Sequence, residues 1–254
     1  MTILTPQAFV ARCGATSVDR LFTRTRHQTD FVFSDDVSDV FPDMIGRSVP
    51  GYWTNVDWIG HLAQSFIEDD DVIYDLGCSL GAVGWSIDRQ LKVPATLIAV
   101  DNSAPMMSRL ALNLKGLSTQ AQWTLKTADV TTLQLEPCKV VTMHYCLQFI
   151  PIHLRAELLT RIYDALKPDG ALFLSEKIRG ETNTQNEWLR SEHHRFKQRQ
   201  GYSEEEIVGK ANSIATMMPV ESIQTHEDRL RSAGFSQVIP WRRELNFNSW
   251  VAIK

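Results

Sequence analysis

The chain has 254 residues, 43% of them hydrophobic and 22% charged, which suits one globular domain with a sizeable core or one domain carrying a cap. The formal charge of -4 argues against a directly bound nucleic acid, since such proteins usually show a basic face. The basic stretch "HHRFKQRQ" (193–200) reads equally as the solvated side of an amphipathic helix. Cys13, Cys78, Cys138 and Cys146 have no paired metal-type spacing and fit reduced thiols of a cytoplasmic protein. The N-terminus has no signal-peptide pattern and no apolar run reaches about eighteen residues, so no membrane span is expected.

Residues 1–50 are weakly patterned and are expected to form an N-terminal helical cap or arm on a domain spanning 51–254. "YWTNVDWIGHLAQSF" (52–66) spaces its apolar groups at helical intervals, and "DDDVIYDLG" (69–77) moves from charge into a short buried strand. Strands at 96–101, 121–129, 139–145 and 171–177 then alternate with helices at 104–116 and 152–170, the latter ended by Pro168 and Gly170. This alternation predicts a doubly wound, mainly parallel sheet covered on both faces. A polar helical insertion at about 181–219 breaks the rhythm. A last helix (221–234) leads to two apolar runs, 235–241 and 244–254, expected as a closing antiparallel pair.

In such a sheet a ligand lies beyond the carboxyl ends of the strands, which brings together Asp75, the loop Gly77–Gly81, Asp101, Asp129 and His144. Gly77 and Gly81 allow a tight turn and close approach of backbone to ligand. Asp101 lies twenty-four positions after Gly77, where a carboxylate accepts both hydroxyls of a ribose. Ser79 replaces the middle glycine of the dinucleotide pattern G-x-G-x-x-G, which disfavours a pyrophosphate. A ribose ligand without phosphate fits better, and S-adenosylmethionine (SAM) is the candidate. Asp129 would accept the adenine amine, and Val130 would offer its backbone N–H to a ring nitrogen.

Several stretches carry a family resemblance: "FPDMIGRSVPGY" (41–52), "YDLGCSLGA" (74–82), "VDNS" (100–103), "LQF" (147–149), "LSEK" (174–177), "HHRFK" (193–197), "GYSEEEI" (201–207) and "THEDRLRSAGF" (225–235). From about residue 38 onward the sequence resembles carboxy-S-adenosylmethionine synthases. The resemblance implies a class I methyltransferase (Rossmann-like) fold with a seven-stranded sheet, and a homodimer. It implies an enzyme that moves a carboxyl group from prephenate to the methyl carbon of SAM, for use by a partner enzyme that modifies tRNA wobble uridines. Carried over by motif, the cofactor contacts are Tyr52, Gly77, Cys78, Ser79, Asp101, Asn102, Asp129 and Val130. Two positions depart from the family: His144 stands for an asparagine in contact with SAM, and Ala211 for an arginine that pairs with the new carboxylate.

Three residues are candidates for catalysis. His144 at a strand end would accept a proton or hold the amino group of SAM. Arg47 reads as a binder of an anionic substrate or as a surface ion pair, and Tyr202, in the insertion, would touch the sulfonium. Cys78 and Cys146 read as packing residues rather than nucleophiles. His193 and His194 are adjacent on a helix and so diverge, and no metal site is expected. Four reactions or roles stay open: carboxylation of SAM, its internal cyclisation to an azetidine-type amino acid with release of methylthioadenosine, methylation of a small molecule with His144 as base, and a binding subunit without chemistry.

Overall fold

Strands buried on both faces need helical cover on each side, and the chain supplies it from different segments. The structure is a computed structural model that describes residues 4–12, 14, 17–21 and 32–254. Strands β1 (Asp71–Leu76), β2 (Ala95–Asp101), β3 (Gln122–Thr127), β4 (Cys138–His144) and β5 (Leu166–Arg179) are parallel. A two-residue strand, β6 (Glu221–Ser222), pairs with the end of β5. The last strands, β7 (Gln237–Glu244) and β8 (Phe247–Ile253), form the antiparallel pair, with β8 against β5 and β7 outermost. The order is β3-β2-β1-β4-β5-β8-β7, the expected seven strands, with β6 added beside β5.

Successive side chains of each strand enter different cores. Ile73, Leu97 and Val140 belong to a core shared with α1 (Pro6–Val10), α3 (Tyr52–Ala63), α4 (Ala82–Asp88) and α5 (Ala104–Leu114). Tyr74, Ile98 and Val141 pack instead with Leu158, Ile162 and Leu230 of α6 (Ile152–Ala165) and α9 (Ile223–Ser232). The N-terminal segment is docked: Phe9 stacks on Trp85 at 4.7 Å, and the Trp85 indole donates to the Leu4 carbonyl at 2.9 Å. The weakly patterned start also contains α2 (Asp35–Ser48).

The helix expected over 152–170 stops at Ala165, and β5 begins at once. Pro168 pushes the residue before it out of the helical region, so Lys167 is extended and its amine reaches Asp71 at 2.7 Å. The insertion forms two helices, α7 (Asn183–Arg199) and α8 (Glu204–Ile214), the second started by a Ser203/Glu206 capping box. Among the described residues no helix is long and apolar enough to cross a membrane.

Candidate active site

The ends of β1, β2, β4 and β5, the segment after β3, and helices α2, α7 and α8 line a cavity of about 610 Å³. That is mid-range for a small-molecule site, which typically spans about 300–1,000 Å³. Its lining includes ten of the sequence candidates: Tyr52, Asp75, Gly77, Cys78, Ser79, Asp101, Asn102, Asp129, Val130 and His144.

One end of the cavity is acidic. Asp75 is buried, accepts from the Thr142 hydroxyl at 2.7 Å and the Gly84 N–H at 3.1 Å, and is pushed up to about 6 by burial. It therefore ties the tip of β1 to β4 and to the start of α4. Asp101 accepts from the Ser79 N–H at 2.8 Å and the Ser103 N–H at 2.9 Å. One carboxylate thus fixes the glycine loop and the start of α5, and each oxygen keeps a lone pair for a ligand. Burial raises the Asp101 pKa, while those backbone donors oppose the rise. Asp129 accepts both the N–H and the hydroxyl of Thr131 on Oδ1, at 2.8 and 2.7 Å, closing an Asx-type turn.

The two loop glycines owe their identity to protein neighbours. At Gly77 (φ +73°) a Cβ would lie 2.4 Å from the Cys146 sulfur, and at Gly81 (φ +83°) the same distance from a Leu110 methyl. Gly81, expected to contact the cofactor, does not line the cavity; it opens α4 against a packed leucine. Cys78 and Cys146 both line the cavity, and burial raises both thiols far above the ordinary range, which suits packing. Cys13 lies outside the described residues.

His144 sits between two aromatic rings, 5.1 Å from Tyr52 and 4.3 Å from Tyr145, and neither ring nitrogen has a hydrogen-bond partner. Burial pushes its pKa down to about 3, so the ring is neutral. Tyr145 takes φ +59°, a strained backbone for a bulky residue and a recurrent mark of functional sites. Nothing in the local sequence pattern had singled out Tyr145.

The other end is basic. Lys177 and Arg179 extend from β5, Arg190, His193 and Lys197 come from α7, and Lys210 from α8. Of these, His193 and the basic stretch holding Lys197 drew notice in the sequence, neither as a substrate contact. The Lys210 amine donates to the Ser48 hydroxyl at 3.0 Å, and burial pushes it down to about 8. His193 meets the Ser48 carbonyl at 2.8 Å, while His194 turns away to Glu204 at 2.6 Å. Among the described residues no His/Cys/Asp/Glu group suited to a metal occurs.

Arg47 and Tyr202, expected at the substrate, lie outside the cavity lining. The Tyr202 hydroxyl donates to Asp19 at 2.7 Å. The Arg47 guanidinium stacks 3.9 Å over the Tyr202 ring, donates to the Gln200 carbonyl at 2.8 Å and pairs with Asp43 at 3.0 Å. Together they latch the N-terminal segment and α2 to the turn between α7 and α8.

A mainly parallel sheet of this order, closed by an antiparallel hairpin and carrying an acid at its second strand tip, is a class I methyltransferase fold. A methyltransferase-domain family profile matches residues 73–170. Human N-acetylserotonin methyltransferase in complex with SAM superposes with a TM-score of 0.60 at 14% identity, covering 98% of this chain and 65% of that one. A cyclopropane synthase of Mycobacterium tuberculosis gives 0.57 at 16% identity, covering 74% and 62%. In sequence, the chain is 46% identical over 241 residues to the carboxy-S-adenosyl-L-methionine synthase of Ectopseudomonas mendocina, covering 92% of this chain and 98% of that one. The enzyme of the same name from Actinobacillus pleuropneumoniae is 42% identical over 226 residues, covering 89% and 94%. The chain belongs to the carboxy-S-adenosyl-L-methionine synthase family.

Proposed function

We propose that this chain synthesises carboxy-SAM, taking SAM and prephenate as its two substrates. The observation that carries the reading is the division of one cavity into an acidic end of anchored carboxylates and a basic end of lysines and arginines. The acidic end suits a ribose diol and an adenine amine, and the basic end suits a dicarboxylate. Loss of carbon dioxide from prephenate makes its ring aromatic and expels the ring hydroxyl as hydroxide. That base removes a proton from the methyl beside the sulfonium, and the resulting carbanion adds to the carbon dioxide. The protein's part is to hold the two substrates in register and to keep bulk water away, which the enclosing helices favour. Incubating the protein with SAM, with and without prephenate, and resolving the adenosyl products by mass spectrometry tests this. Prephenate-dependent carboxy-SAM is expected, and its absence sinks the proposal.

A second reading is favoured by His144, whose neutral ring has two free nitrogens. The neutral amine of SAM, held by a hydrogen bond to a His144 ring nitrogen, attacks its own γ-carbon, the carbon–sulfur bond breaks, methylthioadenosine leaves, and the cyclic amine keeps its proton. The product is a cyclic amino acid, and no second substrate is needed. Methylthioadenosine formed from SAM alone, and lost in His144→Asn, selects this reading. The resemblance also supports a cytoplasmic homodimer, for which the exposed Trp58 and Trp188 offer apolar contact area. Light scattering showing a monomer at working concentration would refute that association.

A further inference from the structure

Helix α7 turns one face to the cavity. Asn186, Arg190, His193 and Lys197 all line it, at spacings of four, three and four residues that keep side chains on one helical stripe. Opposite them stand Lys177 and Arg179, two residues apart on β5 and so on the same side of the strand.

These cations differ in what already satisfies them. Lys210 and His193 hydrogen-bond to Ser48 and Arg179 reaches the Gly180 carbonyl at 3.5 Å, while burial lowers the Lys197 pKa against the pull of Glu204. Among the described residues, no hydrogen bond or ion pair engages the Lys177 amine or the Arg190 guanidinium. Glu187 shares an outer concavity with Arg190, and no ion pair joins them. Lys177 is also close to other positive charge: burial first, then Lys197 and Arg190, push its pKa down to about 8. The three acids of the cavity, Asp75, Asp101 and Asp129, stand at the other end and are held by backbone and hydroxyl donors. Like charges gathered around a half-buried amine destabilise the empty protein unless an anion joins them.

We propose that Lys177 and Arg190, with Lys197 beside them, form a carboxylate clamp for the second substrate, and that α7 rather than α8 supplies its guanidinium. Ala211 of α8 lines the same cavity and brings no charge to it. Arginine suits the task because its planar fork meets both oxygens of a carboxylate at once. The assignment rests on the reading that the second substrate is a dicarboxylate, and it specifies which residues grip it.

The test compares wild type with Arg190→Ala, Arg190→Lys and Lys177→Met, at saturating SAM. Arg190→Ala and Lys177→Met are each expected to raise the KM for prephenate about tenfold or more, the scale of one charge-assisted contact. The dissociation constant for SAM, measured by calorimetry, should stay within about twofold, and Arg190→Lys should recover only part of the loss. Unchanged prephenate KM in both neutral variants, with SAM bound normally, overturns the clamp and leaves the reaction standing. If wild type forms no product from prephenate, the reaction fails, and calorimetry with prephenate alone decides the clamp. Heat in wild type that vanishes in Arg190→Ala supports it, and no heat in wild type overturns it.

Discussion

The two ends of the cavity are built by opposite means. At the acidic end, each carboxylate is already engaged before any ligand arrives: Asp75 by Thr142 and Gly84, Asp101 by Ser79 and Ser103, Asp129 by Thr131. At the basic end, Lys177 and the exposed Arg190 meet no counter-charge, and Lys197 and Arg190 add repulsion at Lys177. The first end is preorganised, so binding there needs little rearrangement. The second is frustrated in the empty protein and gains from an anion.

The largest effect should come from the acidic end. Asp101→Ala removes a charged acceptor of two hydroxyls and is expected to weaken SAM binding at least about 100-fold, taking about 1.5–3 kcal/mol per charged hydrogen bond. Calorimetry measures it, and circular dichroism checks that the fold persists. Normal affinity would mean that the ribose lies elsewhere.

Gly77→Ala attacks the loop itself. A left-handed non-glycine residue costs about 1–2 kcal/mol, and the Cβ would also lie 2.4 Å from the Cys146 sulfur. Thermal melts should show a loss of more than that strain alone. Because the Cys146 Cβ would still lie 2.7 Å away, adding Cys146→Ala should restore only the sulfur's share, and no rescue would show that the sulfur is not the obstacle.

The basic end should respond to pH. Lys177 titrates at about 8, so above that value it loses its charge and kcat/KM for prephenate should fall, while SAM binding holds steady. Stability should move the other way. The Lys177 and Lys210 amines titrate near 8 when folded and at about 10.4 when unfolded. Between those values the unfolded chain binds more protons, so their contribution makes the empty protein more stable as pH rises. Saturating prephenate should flatten that rise, and an unchanged slope in melts across pH 8–10 would count against an anion at this end.

The smallest effect belongs to the latch outside the cavity. Tyr202→Phe leaves the buried Asp19 without its hydroxyl donor and should lower stability by about 1–3 kcal/mol. Substrate KM values should barely change, and a large rise would restore Tyr202 to the site.

The acidic end was legible in the sequence because its information is local. Each acid closes or follows a strand, and a turn built on glycine, serine or threonine comes next. The basic end was not, because Lys177, Arg190, Lys197 and Lys210 converge only through the fold of the insertion. A lysine in "LSEK" and an arginine on a polar helix look like ordinary solvated charges. Arg47 and Tyr202 belong to resembling stretches, and the fold engages them with Asp43 and with Asp19 and Gln200, the last two distant in sequence from the groups they meet. The helix end at Ala165 was missed by taking Pro168 as the stop, when the residue before a proline is already constrained.

The insertion leaves β5 after Arg179, and the chain comes back at Glu221 and Ser222, which pair with Ile178 and Arg179. Departure and return therefore share one address, fastened by Arg155 and Arg229 on Glu221. A segment docked this way joins the hydrogen bonding of the sheet at a single seam, and its hydrogen bonds to Asp19, Arg47 and Ser48 run to the N-terminal segment and α2 rather than to another strand.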